Sequence, residues 1–425
     1  MALHQQGMNT PVKILVVGPG GREHAILKAL SRDPEVTTLH AAPGNPGIAA
    51  IARCHRVDAC DGDAVAALAV DLGVDLVVVG PEAPLIAGVA DAVRAAGIPC
   101  FGPTQAAARI EGSKTFAKDV MQAAGIPTAK SRTCTTATQV QAALTEFGAP
   151  HVVKDDGLAA GKGVLVTDDI DAACAHAADC DRVVIEEYLA GPEFSAFALC
   201  DGSTRSVLLA LARDYKRVGD GDLGPNTGGM GAYSPVSWLP AGVENELSAT
   251  VVEPLLAELD RRGTPFSGVL FPGLILTHDG VKVIEYNARF GDPETQVVLE
   301  RLETPLAGLL MACATGTLKP DTTLEWSPDT AINIVIASNG YPANPVAGDP
   351  ITGLDLADTV EGVHVLHAGT AHNDAGELIA AGGRLINVVA RAAEPGHARA
   401  RAYQAADRIG LRGRVMRTDI AADLI

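Results

Sequence analysis

The residues of this chain best suited to chemistry lie in VIEYNARFGDPETQ, residues 283 to 296. Read as a strand, the segment puts Glu285, Asn287 and Arg289 on one face, because side chains two residues apart share a side of a pleated strand. A carboxylate and an amide oxygen so spaced suit Mg²⁺, a hard ion that takes oxygen ligands. A guanidinium beside them suits the phosphate that such an ion holds. The spacing therefore predicts a nucleotide triphosphate site at a strand end. The same alternation of acid, amide and arginine also describes a solvated edge strand, so other segments must decide between the two.

Four further segments carry residues of the same kind. VVKDDGLAAGKGVLV, residues 152 to 166, sets Lys154 on a strand ahead of a loop that contains Gly157, Gly161, Lys162 and Gly163. Small side chains let backbone N–H groups lie close over a triphosphate, while Lys154 neutralises charge from the strand below. The loop leads into another strand, so it is not the G-x-x-x-x-G-K-[ST] loop that opens a helix. A plain glycine-rich hairpin beside a solvated lysine is the alternative. RVVIEEYLAGPEFS, residues 182 to 195, is an apolar strand running into Glu186 and Glu187. Its linker backbone can pair with an adenine edge, with Glu193 placed to accept from ribose hydroxyls. ARDYKRVGDGDLGPNTGGMGAYSP, residues 212 to 235, reads as a long loop too polar and glycine-rich for core, and long ordered loops are usually functional. In it Asp214, Lys216 and Arg217 suit an amino group and a phosphate, and Asn226, Gly228 and Gly229 are expected to offer free backbone N–H groups.

The opening GPGGREH, residues 18 to 24, follows a buried apolar run and precedes a helical period. Gly18 and Gly20 match G-x-G-x-x-G, but Glu23 stands where the third glycine belongs, and no clear acidic residue follows about 20 positions later to hold a ribose hydroxyl. The expectation is a phosphate on something smaller than a dinucleotide. Backbone N–H groups of Gly18, Gly20 and Gly21 would hold it, with Arg22 adding charge; a purely structural turn is the alternative.

These segments need a frame, and 425 residues exceed what one hydrophobic core usually serves. With 47 % hydrophobic and 4 % aromatic residues, dominated by Ala, Val, Leu and Gly, the composition suits alternating strands and helices. KILVVGPGG, DLVVVGPEAPL and IPCFGP spell an N-terminal Rossmann-like open parallel sheet, whose ligands gather beyond the carboxyl ends of the strands. A helix capped by Ser113 follows. To about residue 190 the order is then strand, helix, strand, glycine-rich turn, strand, helix, strand, a small α+β lobe. Later strands are antiparallel in character, and His278-Asp279-Gly280 includes the Asp-Gly turn of a hairpin that delivers the Glu285 strand. The tail alternates short strands with loops. The expected fold is thus multidomain, α/β and α+β: an extension at 1–11, the parallel-sheet domain at 12–112, a large lobe from 113–128 and 191–326, a small lobe at 129–190, and a small mixed α/β C-terminal domain at 327–425.

A net charge of −18 argues against a nucleic-acid partner, since phosphate backbones are bound by basic surfaces. Eight cysteines show no C-x-x-C pair and no zinc-type spacing. There is no charged start followed by an apolar run and no stretch of about 18 apolar residues. A cytoplasmic chain with free thiols and no membrane partner is expected.

In this order, GREH, GPEAPL, EGSK, DGLAAGKG, IEEYL, KRVGDGDLGPNTGGMGAYSP and VIEYNARFGDPETQ resemble the phosphoribosylamine–glycine ligases, also called glycinamide ribonucleotide synthetases, of the ATP-grasp superfamily. The similarity runs from about residue 12 to 420. It implies a Rossmann-like N-terminal domain, a pair of ATP-grasp lobes and a C-terminal domain beside them. It also implies Mg²⁺ or Mn²⁺ on Glu285 and Asn287, and Lys114 and Lys154 on the phosphates of ATP. Glu186, Glu187 and Leu189 fall in the adenine segment and Glu193 near the nucleotide ribose. The Gly18 to Gly21 loop, Asn45, Pro81 and Glu82 fall where phosphoribosylamine is held. Arg289 is assigned to the transferring phosphoryl group, and Gly291 and Asp292, in the turn facing the glycyl phosphate, to substrate, with Asp292 on the glycine amino group. The implied reaction joins glycine to 5-phosphoribosylamine with ATP as co-substrate, in a chain expected to be a monomer. Departures are a shortened small lobe, Asp155 beside and able to pair with Lys154, Tyr215, and Phe271-Pro272. Rival readings are another ATP-grasp ligase of purine synthesis, a nicotinamide-binding oxidoreductase built on the opening glycines, and a non-catalytic nucleotide-binding relative.

Overall fold

In the computed structural model, which describes residues 11–158, 163–319 and 321–425, the first apolar run becomes β1 (Val12–Gly18) and leads into α1 (Gly21–Ser31). Then come β2 (Val36–Pro43), β3 (Arg53–Cys54), α2 (Gly62–Leu72), β4 (Leu76–Val79), α3 (Glu82–Ile86), α4 (Val89–Ala95) and β5 (Cys100–Phe101). The strands form one parallel sheet in the order β3-β2-β1-β4-β5. Ile14, Leu15, Val16 and Val17 have no exposed surface, as a parallel strand covered on both faces requires. The turns carrying Gly18 and Pro81 leave β1 and β4 at the same edge of this sheet.

Next, α5 (Gln105–Gly112) and α6 (Lys114–Ala124) meet at Ser113. Its hydroxyl accepts from Phe116 N (3.1 Å) and donates to Asp156 Oδ1 (3.1 Å), so it caps the helix that begins at Lys114 and ties it to the following lobe. That lobe is β6 (Ser131–Cys134), α7 (Ala137–Phe147), β7 (His151–Asp155), β8 (Val164–Thr167), α8 (Ile170–Ala178) and β9 (Val183–Glu186). Its antiparallel sheet runs β6-β9-β7-β8, with a core of its own around Leu144, Val153 and Ile185. The element order is the one expected from the sequence, and α8 fills the short stretch ahead of β9.

The segment from 212 to 235 departs from expectation. After β10 (Glu193–Ser195), β11 (Ala198–Asp201) and β12 (Ser206–Leu208), it folds as β13 (Arg213–Asp214), β14 (Arg217–Gly219), β15 (Leu223–Asn226) and β16 (Gly231–Ser234). It is therefore not one long loop. Strands of two to four residues are too short to show a period, and β16 is nonetheless buried throughout, with Ala232 and Tyr233 at 0 % exposure. After α9 (Val243–Leu247) and α10 (Glu253–Arg261), the long hairpin of β17 (Ser267–Thr277) and β18 (Gly280–Asn287) completes a sheet ordered β10-β17-β11-β12, with β18 on β17. Its turn is centred on His278 and Asp279, one position earlier than an Asp-Gly turn, because Thr277 pairs with Gly280, whose φ is +105°.

α11 (Glu294–Arg301), α12 (Leu306–Thr315), β19 (Thr330–Ala337), α13 (Leu354–Ala357), β20 (Val363–His367), β21 (Thr370–His372), β22 (Leu378–Ala380), β23 (Arg384–Ala392) and α14 (Pro395–Ala406) follow. One sheet, β13-β16-β19-β23-β20, joins strands from before residue 235 to strands from after residue 329. α14 is missing from the expected strand-and-loop tail because its buried face is Ala398, Ala402, Ala405 and Ala406, too small a set to mark an amphipathic helix by large apolar residues. No helix among the described residues is long and apolar enough to cross a membrane, and all eight cysteines are free.

Replacing Ser113 by Ala removes the cap of α6, and should lower stability by about 1 kcal/mol. The urea midpoint measures it: a fall with an unchanged slope is expected, and an unmoved midpoint would show the cap to be idle.

Candidate active site

The strand β18 reaches the site through a bulge. Gly273 pairs with Glu285 but Leu274 pairs with Val283, which leaves Ile284 as an extra residue. Without it, Glu285 and Asn287 would share a face with Val281 and Val283, both in the core. The bulge changes the phase, so that Tyr286 takes the core side and donates its hydroxyl to Val251 O (2.8 Å). The Ile284 carbonyl released from the ladder accepts from Lys154 Nζ (3.0 Å). Arg289 lies beyond the strand, so no strict alternation places it; its Nη2 donates to Asn287 Oδ1 (3.2 Å).

Lys154 also pairs with Glu186 Oε2 (2.9 Å), and Glu186 Oε1 lies 3.0 Å from Lys118 Nζ. Glu186 is 4 % exposed, so this carboxylate, expected near adenine, spends its charge joining the buried Lys154 to the largely covered Lys118. Lys118 escaped the sequence reading, although it sits one helical turn from Lys114 in EGSKTFAK. Asp155 makes no ion pair with Lys154, against expectation, since adjacent strand residues face opposite sides. Lys114 Nζ donates to Gly157 O (2.9 Å), and Gly163 O accepts from Asp155 N at the base of the β7–β8 hairpin. Gly161 and Lys162 lie outside the described residues. Glu187 exchanges backbone and side-chain hydrogen bonds with Lys130, and Leu189 is half-buried in the linker after β9.

Burial opposes ionisation of Glu285, but Lys216, Lys154, Lys114 and Arg289 outweigh it and hold its pKa below the usual value. Glu193 pairs with Lys216 Nζ (2.8 Å). Burial pushes Asp214 upward, with Glu193 adding to the rise and Lys216 opposing it. Burial and the neighbouring Asp214 push Glu294 up to about 7. Glu294 stands inside the motif first singled out, yet its role was unread; a Cβ on Gly291 would meet its Oε2, and Ser195 Oγ donates to its Oε1 (3.3 Å).

A continuous row of charges runs from here to the parallel sheet. Arg289 pairs with Glu111 Oε1 (3.0 Å) and Glu82 Oε2 (3.2 Å), and Arg22 lies 3.9 Å from Glu82 and 2.5 Å from Glu23. Burial opposes ionisation of Glu82, yet Arg289 and Arg22 prevail and hold its pKa down at about 2. Glu111 belongs to EGSK, a motif that on sequence gives it no role of its own.

Backbone donors expected to be free are engaged at Gly20 and in the turn after Asn226. Gly20 N donates to Glu23 Oε2 (2.6 Å) and Arg22 N to Asp292 Oδ2 (3.2 Å), so carboxylates already occupy the start of α1. A Cβ on Gly18 or Gly20 would come within 2.7 or 2.6 Å of the Glu23 side chain, which explains these glycines without a phosphate. Glu23, where the third glycine of a dinucleotide fingerprint belongs, sets a carboxylate on the start of α1, which weighs against an anion there and so against a nicotinamide reading. In the second case, Thr227 N donates to Lys216 O, Gly228 N to Tyr341 Oη and Gly229 N to Thr227 Oγ1, while Asn226 pairs with Arg217 across the β14–β15 hairpin. Arg217 donates to Gly224 O within that hairpin and does not join the charged row.

Asp292 is likewise committed. Besides Arg22 N it accepts from Gln296 Nε2 (3.1 Å) and lies 3.4 Å from Arg384 Nη1, so it bridges α1, α11 and β23. Gly21 packs against Asn387, since a Cβ there would strike its amide. Asn45 donates to Pro19 O and His367 O, and Pro81 precedes α3 beside Gly18. Arg384, in the C-terminal GGR segment that on sequence could line the site or merely turn, also donates to Gly228 O and Asp292 O.

Among the described residues no three His, Cys, Asp or Glu groups form a metal-holding cluster. Glu285, kept ionised, and Asn287 nevertheless fit Mg²⁺, which is usually held by one or two protein oxygens and completed by substrate phosphates and water.

The depressed pKa of Glu82 contributes stability that is present above its ordinary value of 4.5 and is lost as pH falls towards about 2. Glu82→Gln should therefore cost about 2 kcal/mol at neutral pH and flatten the loss of stability between those limits. Urea titrations at several pH values check this; parallel acid limbs in both proteins would refute it.

Three family models match consecutive parts of the chain: phosphoribosylglycinamide synthetase N domain at 12–111, ATP-grasp (A) domain at 112–295 and C domain at 331–423. A phosphoribosylamine–glycine ligase of Streptomyces coelicolor is 61 % identical over 414 residues, 97 % of this chain and 99 % of that protein. One from Mycobacterium tuberculosis is 51 % identical over 420 residues, 96 % of this chain and 97 % of its own length. The crystal structure of the Thermotoga maritima phosphoribosylamine–glycine ligase superposes with a TM-score of 0.82 at 30 % identity, covering 96 % of this chain and all of that one. A biotin carboxylase domain from Hydrogenobacter thermophilus, at 16 % identity, TM-score 0.72 and coverage of 95 % and 91 %, shares the fold alone. By this agreement along nearly its whole length, the chain belongs to the phosphoribosylamine–glycine ligase family.

Proposed function

We infer that this chain ligates glycine to 5-phosphoribosylamine with ATP, giving glycinamide ribonucleotide, ADP and phosphate in purine biosynthesis. The 61 % identity over 97 % of the chain to a ligase named for this reaction carries the reading. The chemistry needs no protein nucleophile. The glycine carboxylate attacks the γ-phosphorus of ATP, giving glycyl phosphate and ADP. The ribosylamine nitrogen then attacks the acyl carbon, phosphate leaves, and the nitrogen loses a proton. Two anions must be brought together in the first step, so fixed positive charge and exclusion of water are what the protein has to supply.

We assign Glu285 and Asn287 to a Mg²⁺ or Mn²⁺ ion, which when bound screens the phosphate charge. Lys114 and Lys154 face the phosphates. Turning Lys114 to ATP would free Gly157 O, its present acceptor. Glu186 serves the nucleotide half by holding Lys118 and Lys154, and Glu193 is kept near the ribose by Lys216. Arg289 faces the transferring phosphoryl group. Asp214 is the better partner for the glycine ammonium, because Asp292 is committed to Arg22, Gln296 and Arg384. Asn45, Pro81 and Glu82 border the ribosylamine, with Asp292 and the α1 turn as its rigid wall. We also infer the four-part division expected from the sequence, its last part sharing a sheet with residues 213–234, a monomer, and the cytoplasm as its compartment, where eight free thiols persist.

Two measurements test this. With glycine, Mg-ATP and freshly generated phosphoribosylamine, ADP release should require glycine; release that persists with bicarbonate or formate in its place would assign the chain to another ATP-grasp ligase. Glu285→Ala should abolish turnover while circular dichroism stays native, and retained turnover would refute the metal role.

A further inference from the structure

Arg289 can meet a transferring phosphoryl group only if its long side chain is held in place, since an arginine loses much rotamer freedom when fixed. Its Nε is taken by Glu82 (3.2 Å) and its Nη2 points to Glu111 and Asn287, while Nη1 donates to Phe290 O (3.3 Å). The guanidinium therefore sits between two carboxylates from different elements. Glu82 begins α3 at the parallel sheet, and Glu111 is the penultimate residue of α5.

Glu111 does more than balance charge. While Oε1 faces Arg289, Oε2 accepts from the backbone N–H of Ala288 (2.7 Å), the residue between Asn287 and Arg289. One carboxylate thus fixes both the guanidinium and the backbone from which it springs. Two residues further on, Ser113 opens the helix of Lys114 and Lys118. The exit of β18 and the start of α6 are in this way referred to the same short stretch of chain.

We propose that Glu111 is a positioning residue for the phosphoryl-transfer step, locking Arg289 and the β18 exit in register with the helix that carries Lys114. The inference rests on the ligase reading and on the place given there to Arg289. Glutamine at 111 separates its two tasks: the amide oxygen still accepts from Ala288 N, but the amide NH₂ then faces the Nη2 of Arg289, donor against donor. Arg289 then loses its carboxylate on that side and keeps Glu82, Asn287 and the Phe290 carbonyl.

The test uses the full chain and glycine-dependent ADP release with Mg-ATP and freshly generated phosphoribosylamine. Glu111→Gln should lower kcat about 10- to 100-fold, the loss of one charge-assisted hydrogen bond. The KM for ATP should stay within about threefold, as the transferring group rather than the bound nucleotide loses a partner. In an Arg289→Lys background the same substitution should cost less than about threefold, because the group it positions has gone. Losses that multiply in the double variant, or a wild-type kcat in Glu111→Gln, would overturn the proposal. So would a fall in kcat that merely follows the folded fraction measured by circular dichroism. If Glu111→Gln does not fold, Glu111→Asp keeps the charge but cannot span both partners; it should show a smaller kcat loss with the same coupling to Arg289, and independence from Arg289 would again overturn it. A wild-type chain without glycine-dependent ADP release would fault the ligase reading itself, a result distinct from an active wild type with an indifferent Glu111→Gln.

Discussion

A guanidinium taken out of water must be neutralised where it stands, and most of this site can be understood as the solution of that problem for Arg289. Burial works against its charge, and Glu111 and Glu82 more than restore it, raising its pKa. Those two acids come from α5 and α3, so the requirement reaches into the parallel sheet. Arg22 then lies beside Glu82, and Glu23 neutralises Arg22. The alternation of sign along this row is what allows so many charges to lie together largely out of water, since removing one member would leave its neighbours uncompensated where solvent screens them only in part.

The second organising device is a single inserted residue. Ile284 turns the end of β18 over, so that a strand whose earlier side chains fill a core can present Glu285 and Asn287 to the side of Lys154 and Arg289. It also gives Lys154 a carbonyl to hold. Position and charge are thereby set by the same local irregularity, and bulges beside sites commonly serve this purpose. At the other wall, Glu23 acts as an internal anion. It satisfies the N–H of Gly20 and the side chain of Arg22, and so turns an apparent phosphate loop into a closed, rigid corner.

Much of this was legible from sequence where local chemistry is strong. The parallel N-terminal sheet, the small antiparallel lobe and the β17–β18 hairpin follow from runs of apolar residues broken by glycine. Glu285, Asn287 and Arg289 do converge, although a bulge rather than simple alternation brings the first two out. What stayed hidden depends on partners far away in the chain. Lys118 and Glu111 are ordinary helix residues until Glu186 and Arg289 fold against them. Glu294 lies within the most informative motif, but its raised pKa comes from burial and from Asp214, eighty positions earlier. The glycines at 18, 20, 228 and 229 misled for a related reason: glycine reports that something comes close, and here the neighbours are Glu23, Arg384 and Pro293 of the protein itself.

The sheet β13-β16-β19-β23-β20 bears on how such a protein can be divided or recombined. Gly231 to Ser234 in β16 pair with Ala331 to Ile334 in β19, while β13 on the other side of β16 carries Asp214. A chain cut after residue 326 would expose the flank of β16 as an open edge and remove the support under Asp214 and Lys216. The C-terminal part is thus no detachable module. Exchange between relatives would have to carry residues 213 to 234 along with it, so the boundary that matters for inheritance as a unit runs through the sheet and not along the chain.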